Sequence, residues 1–172
     1  MVDPMPSDEP IRLVPSDPGW PSRFELERSL LAEAIGAWVE GGIHHVGSTA
    51  VPGLEAKPII DILVGVRSLE TARGCFEPLA DLGYLYAPYL PDEMHWFCKP
   101  DPARRTHHLH LVPFGSPRYL NELAFRDRLR ADPRLAADYA ALKRRLAERH
   151  RDDREAYTEA KSRFIQQALA DG

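Results

Sequence analysis

The sequence predicts an α+β fold in which a small mixed sheet is flanked by helices and followed by a helical extension. Three observations carry this. Short apolar runs bounded by Gly, Pro and Ser dominate the first two thirds of the chain. After Pro113 the pattern switches to helical spacing and stays there. Strands come first and helices last, the mark of segregated α+β folds. The 172 residues fit a leader over 1–10 and a single domain over 11–172, of which about 117–170 is the helical tail.

Met1 to Glu9 is rich in Pro, Asp and Ser and is expected to be disordered. Ile11 to Val14 reads as a short edge strand ended by Pro15. Pro18-Gly19-Trp20-Pro21 is a turn. Ser22 is an expected N-cap for a helix running to about Val39, with Gly41-Gly42 as its stop. Ile43–Val46 and Ile59–Val66 are the first two sheet strands. A helix over Ser68–Leu82, interrupted by Gly74 and Pro78, ends at Gly83. Tyr84–Leu90, Met94–Lys99 and His107–Val112 supply three further strands, the last two joined by a basic hairpin loop, Lys99 to Arg105. Helices follow over Pro117 to about Ala131, Pro133 to about His150, and from a cap at Asp152 or Asp153 to Leu169.

A net charge of −4 and an isoelectric point near 6.0 argue against broad binding to duplex nucleic acid. They leave room for a small anionic ligand in a local basic pocket. The two cysteines, Cys75 and Cys98, form no metal or redox spacing, which suits a reduced, cytoplasmic setting. No stretch reaches the roughly 18 consecutive apolar residues of a spanning helix. No basic region followed by an apolar one marks a secretory signal.

Asp61 is the most informative residue. It interrupts Pro58-Ile59-Ile60-Asp61-Ile62-Leu63-Val64, a run apolar enough to be buried on both faces. Carboxylates are depleted in strands and costly to bury unless paired or metal-bound. Twelve residues separate it from Ser48 in the Gly47-Ser48-Thr49 turn, enough for a crossover that sets the two strands side by side. Gly47 allows close backbone approach to a phosphate, and Ser48 and Thr49 add hydroxyl donors.

His108 and His110 are two apart in a strand and share a face, opposite Leu109 and Leu111. If that strand lies near the second, Asp61, His108 and His110 converge as ligands for a divalent metal. The alternative is a polar face whose imidazoles bond to neighbours. His45, beside the Gly-Ser turn, is a further candidate for the cluster, while His44 points away. Lys57 at the mouth of the second strand and Arg105, with Lys99 and Arg104, are candidate phosphate partners or ordinary solvated cations. Tyr139 with Lys143, and Tyr157 with Lys161, are four apart and share a helix face. They either offer phenol and ammonium groups to a ligand or pack their tyrosines and leave their lysines wet. Arg126 reaches the cleft or pairs at the surface.

Taken together, the run His45-Val46-Gly47-Ser48-Thr49-Ala50-Val51-Pro52-Gly53-Leu54-Glu55-Ala56-Lys57-Pro58-Ile59-Ile60-Asp61 strongly resembles the signature of the GrpB-like proteins. So do His108-Leu109-His110-Leu111, Leu123-Ala124-Phe125-Arg126-Asp127, Tyr139 to Lys143, and Tyr157 with Lys161. The resemblance runs from about Ile11 to Ala168. It implies a nucleotidyltransferase-like fold, in which Gly-Ser closes one strand and carboxylates on the next hold two divalent ions that align an attacking hydroxyl, an α-phosphate and the pyrophosphate leaving group. Gly47-Ser48 and Asp61 match that pattern, whereas Leu63 stands where the second carboxylate belongs.

The resemblance therefore implies a metal-dependent nucleotide-binding protein that moves a nucleotidyl group to a small acceptor. Ser48 and Asp61 are then catalytic. Gly47, Ser48, Thr49, Lys57 and Lys143 hold the nucleotide or another phosphorylated small molecule. Asp61, His108 and His110 hold Mg²⁺, Mn²⁺ or Zn²⁺, and His45, Arg105, Arg126 and Tyr139 are additional candidates. A ligand-binding or regulatory module with a degenerate site, and a metal-dependent phosphoester hydrolase, are the rival readings.

Overall fold

The structure, a computed structural model, describes residues 10–172, so the disorder expected over Met1 to Glu9 lies outside the described residues. Helix α1 spans Trp20–Ile35 and starts earlier than the sequence suggests. Asp17 Oδ1 accepts from the Gly19 N–H at 2.7 Å, and Pro21 fits the first turn, where its missing donor costs nothing. Ser22 is therefore inside the helix rather than its cap. The helix also ends sooner than expected. One 3₁₀ turn over Gly36–Trp38 leads straight into strand β1, Val39–Val46. Gly41 and Gly42, expected to stop a helix, lie within that strand. Their φ values of +83° and +97° accommodate a bulge between Val39 and Ile43.

Strand β2 (Ile60–Val66) lies beside β1 in antiparallel register, with Val46 opposite Asp61 and His44 opposite Leu63. The connection over 47–59 thus turns the chain back instead of crossing over. Two antiparallel bridging hydrogen bonds tie Val14 to Ala56, which is all that forms of the edge strand expected at Ile11–Val14. A 3₁₀ turn over Thr71–Cys75 runs into the short helix α2, Phe76–Asp81. Strand β3 is only Leu85–Tyr86, because Pro88 removes a ladder donor from the run expected to reach Leu90.

Strands β4 (His95–Asp101) and β5 (Arg104–Pro113) form a hairpin with a tight turn. Asp101 Oδ1 accepts from the N–H groups of Ala103 and Arg104, both at 2.9 Å, so Lys99, Arg104 and Arg105 stand on strands and not in a long loop. The five-stranded sheet has the order β1-β2-β5-β4-β3, with β2 and β5 parallel and every other pair antiparallel. The mixed sheet read from sequence is therefore present.

Helices α3 (Pro117–Ala131), α4 (Pro133–Arg149) and α5 (Arg154–Ala170) follow, each capped by a side chain. Ser116 caps α3, Asp132 accepts from Arg134 and Leu135, and Asp153 accepts from Ala156.

Strand alternation sorts the sheet into two faces. Ile60, Ile62, Val64, Leu109 and Leu111 pack on Trp20, Phe24, Leu31 and Ile35 of α1 and on Leu79 of α2. On the other face Leu63, Val46, Val112 and Met94 meet Tyr119 and Leu123 of α3. A third cluster joins Val51 and Leu54 of the connection to Leu129, Tyr139 and Ala140, which seats α3 and α4 over the 47–59 segment. The crevice left between the second sheet face and α3, α4 and α5 holds the site.

Candidate functional site

Gly47 ends β1 with φ +73° and ψ −175°, a conformation essentially confined to glycine. Because Val46 pairs with Asp61, the aspartate comes directly beside the turn. A Cβ on residue 47 would lie 2.4 Å from Asp61 Oδ2, so both the backbone angle and the carboxylate demand glycine here. Ser48 follows, and its Oγ accepts a hydrogen bond from Lys143 Nζ at 2.9 Å.

Thr49 does not match its expected role as a hydroxyl donor to a ligand. Its Oγ1 accepts from His45 Nε2 at 2.9 Å and donates to the Ile59 carbonyl at 3.3 Å. His45 itself faces the opposite side of the sheet, because strand pairing sets it against Ile62. Its ring stacks on Phe24 at 4.8 Å, and burial lowers its pKa to about 4. His45 is thus a brace behind the turn and not a member of the Asp61 cluster. The side assignments of His44 and His45 are the reverse of those expected, because Val46 pairs with Asp61 and strand alternation then carries His45 to the opposite face. His44 binds the Gly41 carbonyl and Tyr119.

Asp61 and His108 are direct neighbours across the parallel β2–β5 pair, and His108 Nδ1 donates to Asp61 Oδ1 at 3.0 Å. Burial would raise the Asp61 pKa, but that hydrogen bond and the charges of His108, His110 and Lys57 hold it at about 2. Burial dominates at His108, lowering it to about 4 and keeping the ring neutral. With Nδ1 donating, Nε2 is the acceptor, and it is buried with no hydrogen-bond partner among the described residues.

His110 shares the face but turns elsewhere. Its Nδ1 donates to both oxygens of Glu122 on α3, at 3.1 and 3.2 Å. Burial works against the charged ring, yet the Glu122 carboxylate outweighs it and raises the His110 pKa above 6.5. Glu122 is lowered in turn: burial opposes its charge, and His110 and Arg118 overcome that. His110 Nδ1 is committed to that carboxylate, and the bias toward the charged ring competes with metal binding. The expected centre of Asp61, His108 and His110 is therefore not assembled, and no group of three His, Cys, Asp or Glu donors suited to a metal occurs among the described residues. Leu63 is fully buried in hydrocarbon. This donor set does not fit a resident divalent ion.

Cations replace the missing acids. Lys57, Lys143 and Lys161 line the same cavity of about 640 Å³ as Gly47, Ser48 and Asp61. Lys57 and Lys161 both lie against the Tyr157 ring, at 5.2 and 4.4 Å from its centroid. Lys143 is buried over Tyr139 at 5.0 Å and also bonds to the Glu55 carbonyl. Burial, then the neighbouring Lys161 charge, lowers Lys57 and Lys143 to about 7, and burial lowers Lys161 to about 8. Tyr157 is fully buried, and its hydroxyl has no hydrogen-bond partner among the described residues.

Arg105 also lines the cavity, with its guanidinium 5.3 Å from the Trp96 ring. Tyr139 lines it too, its ring packed against Phe125 and Phe164. Arg126 does not reach it. Its guanidinium binds the His45 carbonyl at 3.2 Å and Asp127, beside a separate shallow depression.

A family model described as GrpB protein matches residues 10–171. The chain belongs to the GrpB family. Among GrpB relatives, the glutamate-rich protein GrpB of Alkalihalophilus pseudofirmus is 38% identical over 91% of this chain and 92% of that protein. A UPF0157 protein of Pseudomonas aeruginosa is 41% identical over 94% of this chain and 67% of its own length. A protein of Mycolicibacterium paratuberculosis named dephospho-CoA kinase is 34% identical over 92% of this chain, which spans only 45% of that protein.

The crystal structure of GrpB from Enterococcus faecalis superposes with a TM-score of 0.82 at 32% identity, covering 93% of this chain and 98% of that one. A cytoplasmic RNA terminal U-transferase gives a TM-score of 0.52 at 14% identity, over 81% of this chain and 42% of that one. That likeness concerns the fold, which is of the nucleotidyltransferase kind the resemblance implied. Within this GrpB cleft, Glu122 is the residue that strand reasoning misses. It sits on a helix distant in sequence, and its signal is limited to the i,i+4 pair with Arg118 (3.2 Å).

Proposed function

We propose that the GrpB cleft binds a nucleotide by its phosphates and moves the nucleotidyl group to a small acceptor. The observation that carries this reading is the meeting of Gly47-Ser48, Asp61 and three lysines in one cavity of a nucleotidyltransferase fold. The phosphates lie on the turn at Gly47 and Ser48 and against Lys57, Lys143 and Lys161. Asp61 fixes the His108 tautomer, and His108 Nε2 accepts a hydrogen bond from the acceptor hydroxyl. In the transfer, the acceptor oxygen bonds to the α-phosphorus, its proton passes to His108 Nε2, and the bond to pyrophosphate breaks. Kinship with part of a protein named dephospho-CoA kinase supports a phosphorylated ligand. The reading places the protein in the cytoplasm, and among the described residues no helix is long and apolar enough to cross a membrane.

Leu63 and the His110–Glu122 pair favour a second reading, a module that binds the nucleotide without transferring it. Incubation with each labelled nucleoside triphosphate and a set of hydroxyl acceptors separates the two. Transfer predicts pyrophosphate release and label on an acceptor. Binding without pyrophosphate leaves the module, and no binding of any nucleotide overturns both.

A further inference from the structure

We propose that Lys57, Lys143 and Lys161 neutralise a polyphosphate in place of divalent metal ions, so that this cleft takes its ligand free of metal. The inference rests on the nucleotide reading above and names the charge chemistry of the same site. The lysines come from three separate parts of the chain: the 47–59 connection, α4 and α5. Nothing local forces them together, yet all line one cavity. Lys57 and Lys161 lie over the ring of one tyrosine and form no ion pair with a carboxylate among the described residues. Lys143 spends its donors on Ser48 Oγ and a backbone carbonyl, both uncharged.

Asp61 is the one carboxylate whose charge acts on all of them, and Glu55, which also acts on Lys143, is paired with Arg144, so the three ammonium groups are short of balancing anions. Ammonium groups removed from water without partners are costly. A ligand carrying at least two negative charges cancels the excess. A chain of phosphates spreads its charges along its length and can reach ammoniums on separate elements, which a lone carboxylate cannot. The buried Tyr157 hydroxyl supplies a further donor.

The acids that would hold metal ions are absent in kind. The second carboxylate position is Leu63, packed in hydrocarbon, and His110 is committed to Glu122. Complexing a polyphosphate with Mg²⁺ also lowers the charge that the lysines recognise. The site therefore favours the uncomplexed anion.

Calorimetric titration of the full chain with inorganic tripolyphosphate and with ATP, first in EDTA and then in excess Mg²⁺ or Mn²⁺, tests this. Both bind in EDTA, and excess metal weakens them by on the order of tenfold, or about 1.4 kcal/mol. Asp61→Asn removes the opposing charge and tightens tripolyphosphate in EDTA. The Lys57→Met/Lys161→Met double variant, its fold checked by circular dichroism, loses at least about a hundredfold. ATP binding that requires a divalent ion, or loss of tripolyphosphate binding in Asp61→Asn, overturns the inference while the nucleotide reading stands. Tripolyphosphate bound in EDTA with no nucleotide bound under any condition does the reverse. No binding of either anion removes both.

Discussion

The Asp61 carboxylate fills the space that a side chain on residue 47 would need, 2.4 Å from the position of a Cβ on Gly47. This contact joins the end of β1 to the middle of the sheet and sets the head of the cleft. It also ties a backbone requirement to a chemical one, because residue 47 is at φ +73°.

Gly47→Ala must therefore both strain the turn and displace the carboxylate. The strain costs about 1–3 kcal/mol, read as a melting temperature lower by roughly 2–4 °C per kcal/mol. Nucleotide affinity falls with it, because the turn that seats the phosphates at Gly47 and Ser48 is displaced. A variant with wild-type melting temperature and wild-type affinity would show that the turn is an ordinary loop.

Restoring the acid that the fold lacks at position 63 does not restore a metal site. Leu63 is fully buried among Val46, Met94, Val112 and Tyr119. Leu63→Asp loses that packing and buries a carboxyl group without a partner, at a cost of at least about 3 kcal/mol. Urea unfolding measures the loss, and a Mn²⁺ titration followed by electron paramagnetic resonance checks for binding. A stable variant that takes up Mn²⁺ contradicts the placement of Leu63 in the core.

Glu122 sets the charge of His110. In Glu122→Gln, burial is opposed only by the more distant Asp61, and the His110 pKa falls from above 6.5 to below it. Histidine-selective NMR over a pH series reads this directly. An unchanged titration would mean that something other than the 3.1 Å contact holds the proton.

Much of this was legible in the sequence, for physical reasons that differ by element. Asp61 stood out because a carboxylate in an apolar strand needs a cause. The shared face of His108 and His110 followed from period-2 alternation, whereas their nearness to Asp61 depends on the β2–β5 pairing. Helices α3 to α5 were readable from Pro117, Pro133 and the cap expected at Asp152 or Asp153, of which Asp153 is the one that forms. Residues 36–42 were not, since Gly36 and a glycine bulge look the same in sequence as a helix stop. The sides of His44 and His45 were not legible either, since they depend on which β1 residue pairs with Asp61. Glu122 and Glu27 were invisible because their partners lie far away in sequence. Glu27 accepts from Tyr84 at 2.7 Å and pairs with Lys99 on the far face of the sheet.

The lysine cluster gives the protein a pH dependence of definite sign. Lys57 and Lys143 titrate near 7 and Lys161 near 8, facing Asp61, Glu55 and the arginines Arg105, Arg144 and Arg154. The arginines keep their charge throughout, and Asp61, held at about 2, stays ionised. Tripolyphosphate affinity therefore falls as pH rises from about 6.5 to about 9. Near pH 8, binding takes up protons, visible as a calorimetric enthalpy that varies with buffer. Without ligand the sign of stability is opposite. The folded lysines sit below their ordinary value of 10.5, so between about 7 and 10.5 the unfolded chain holds more protons and stability from these groups rises with pH. Affinity that is flat or rising over that range would remove the lysines from the binding site.

A crystal structure of the protein soaked with ATP in EDTA addresses the central claim most directly. The account predicts triphosphate density in the cavity beneath α4 and α5, with oxygens within hydrogen-bond distance of Ser48 and of the ammonium groups of Lys57 and Lys161. Triphosphate seated instead at the depression beside Arg126, or a cavity that admits no phosphate under any soak, would contradict it.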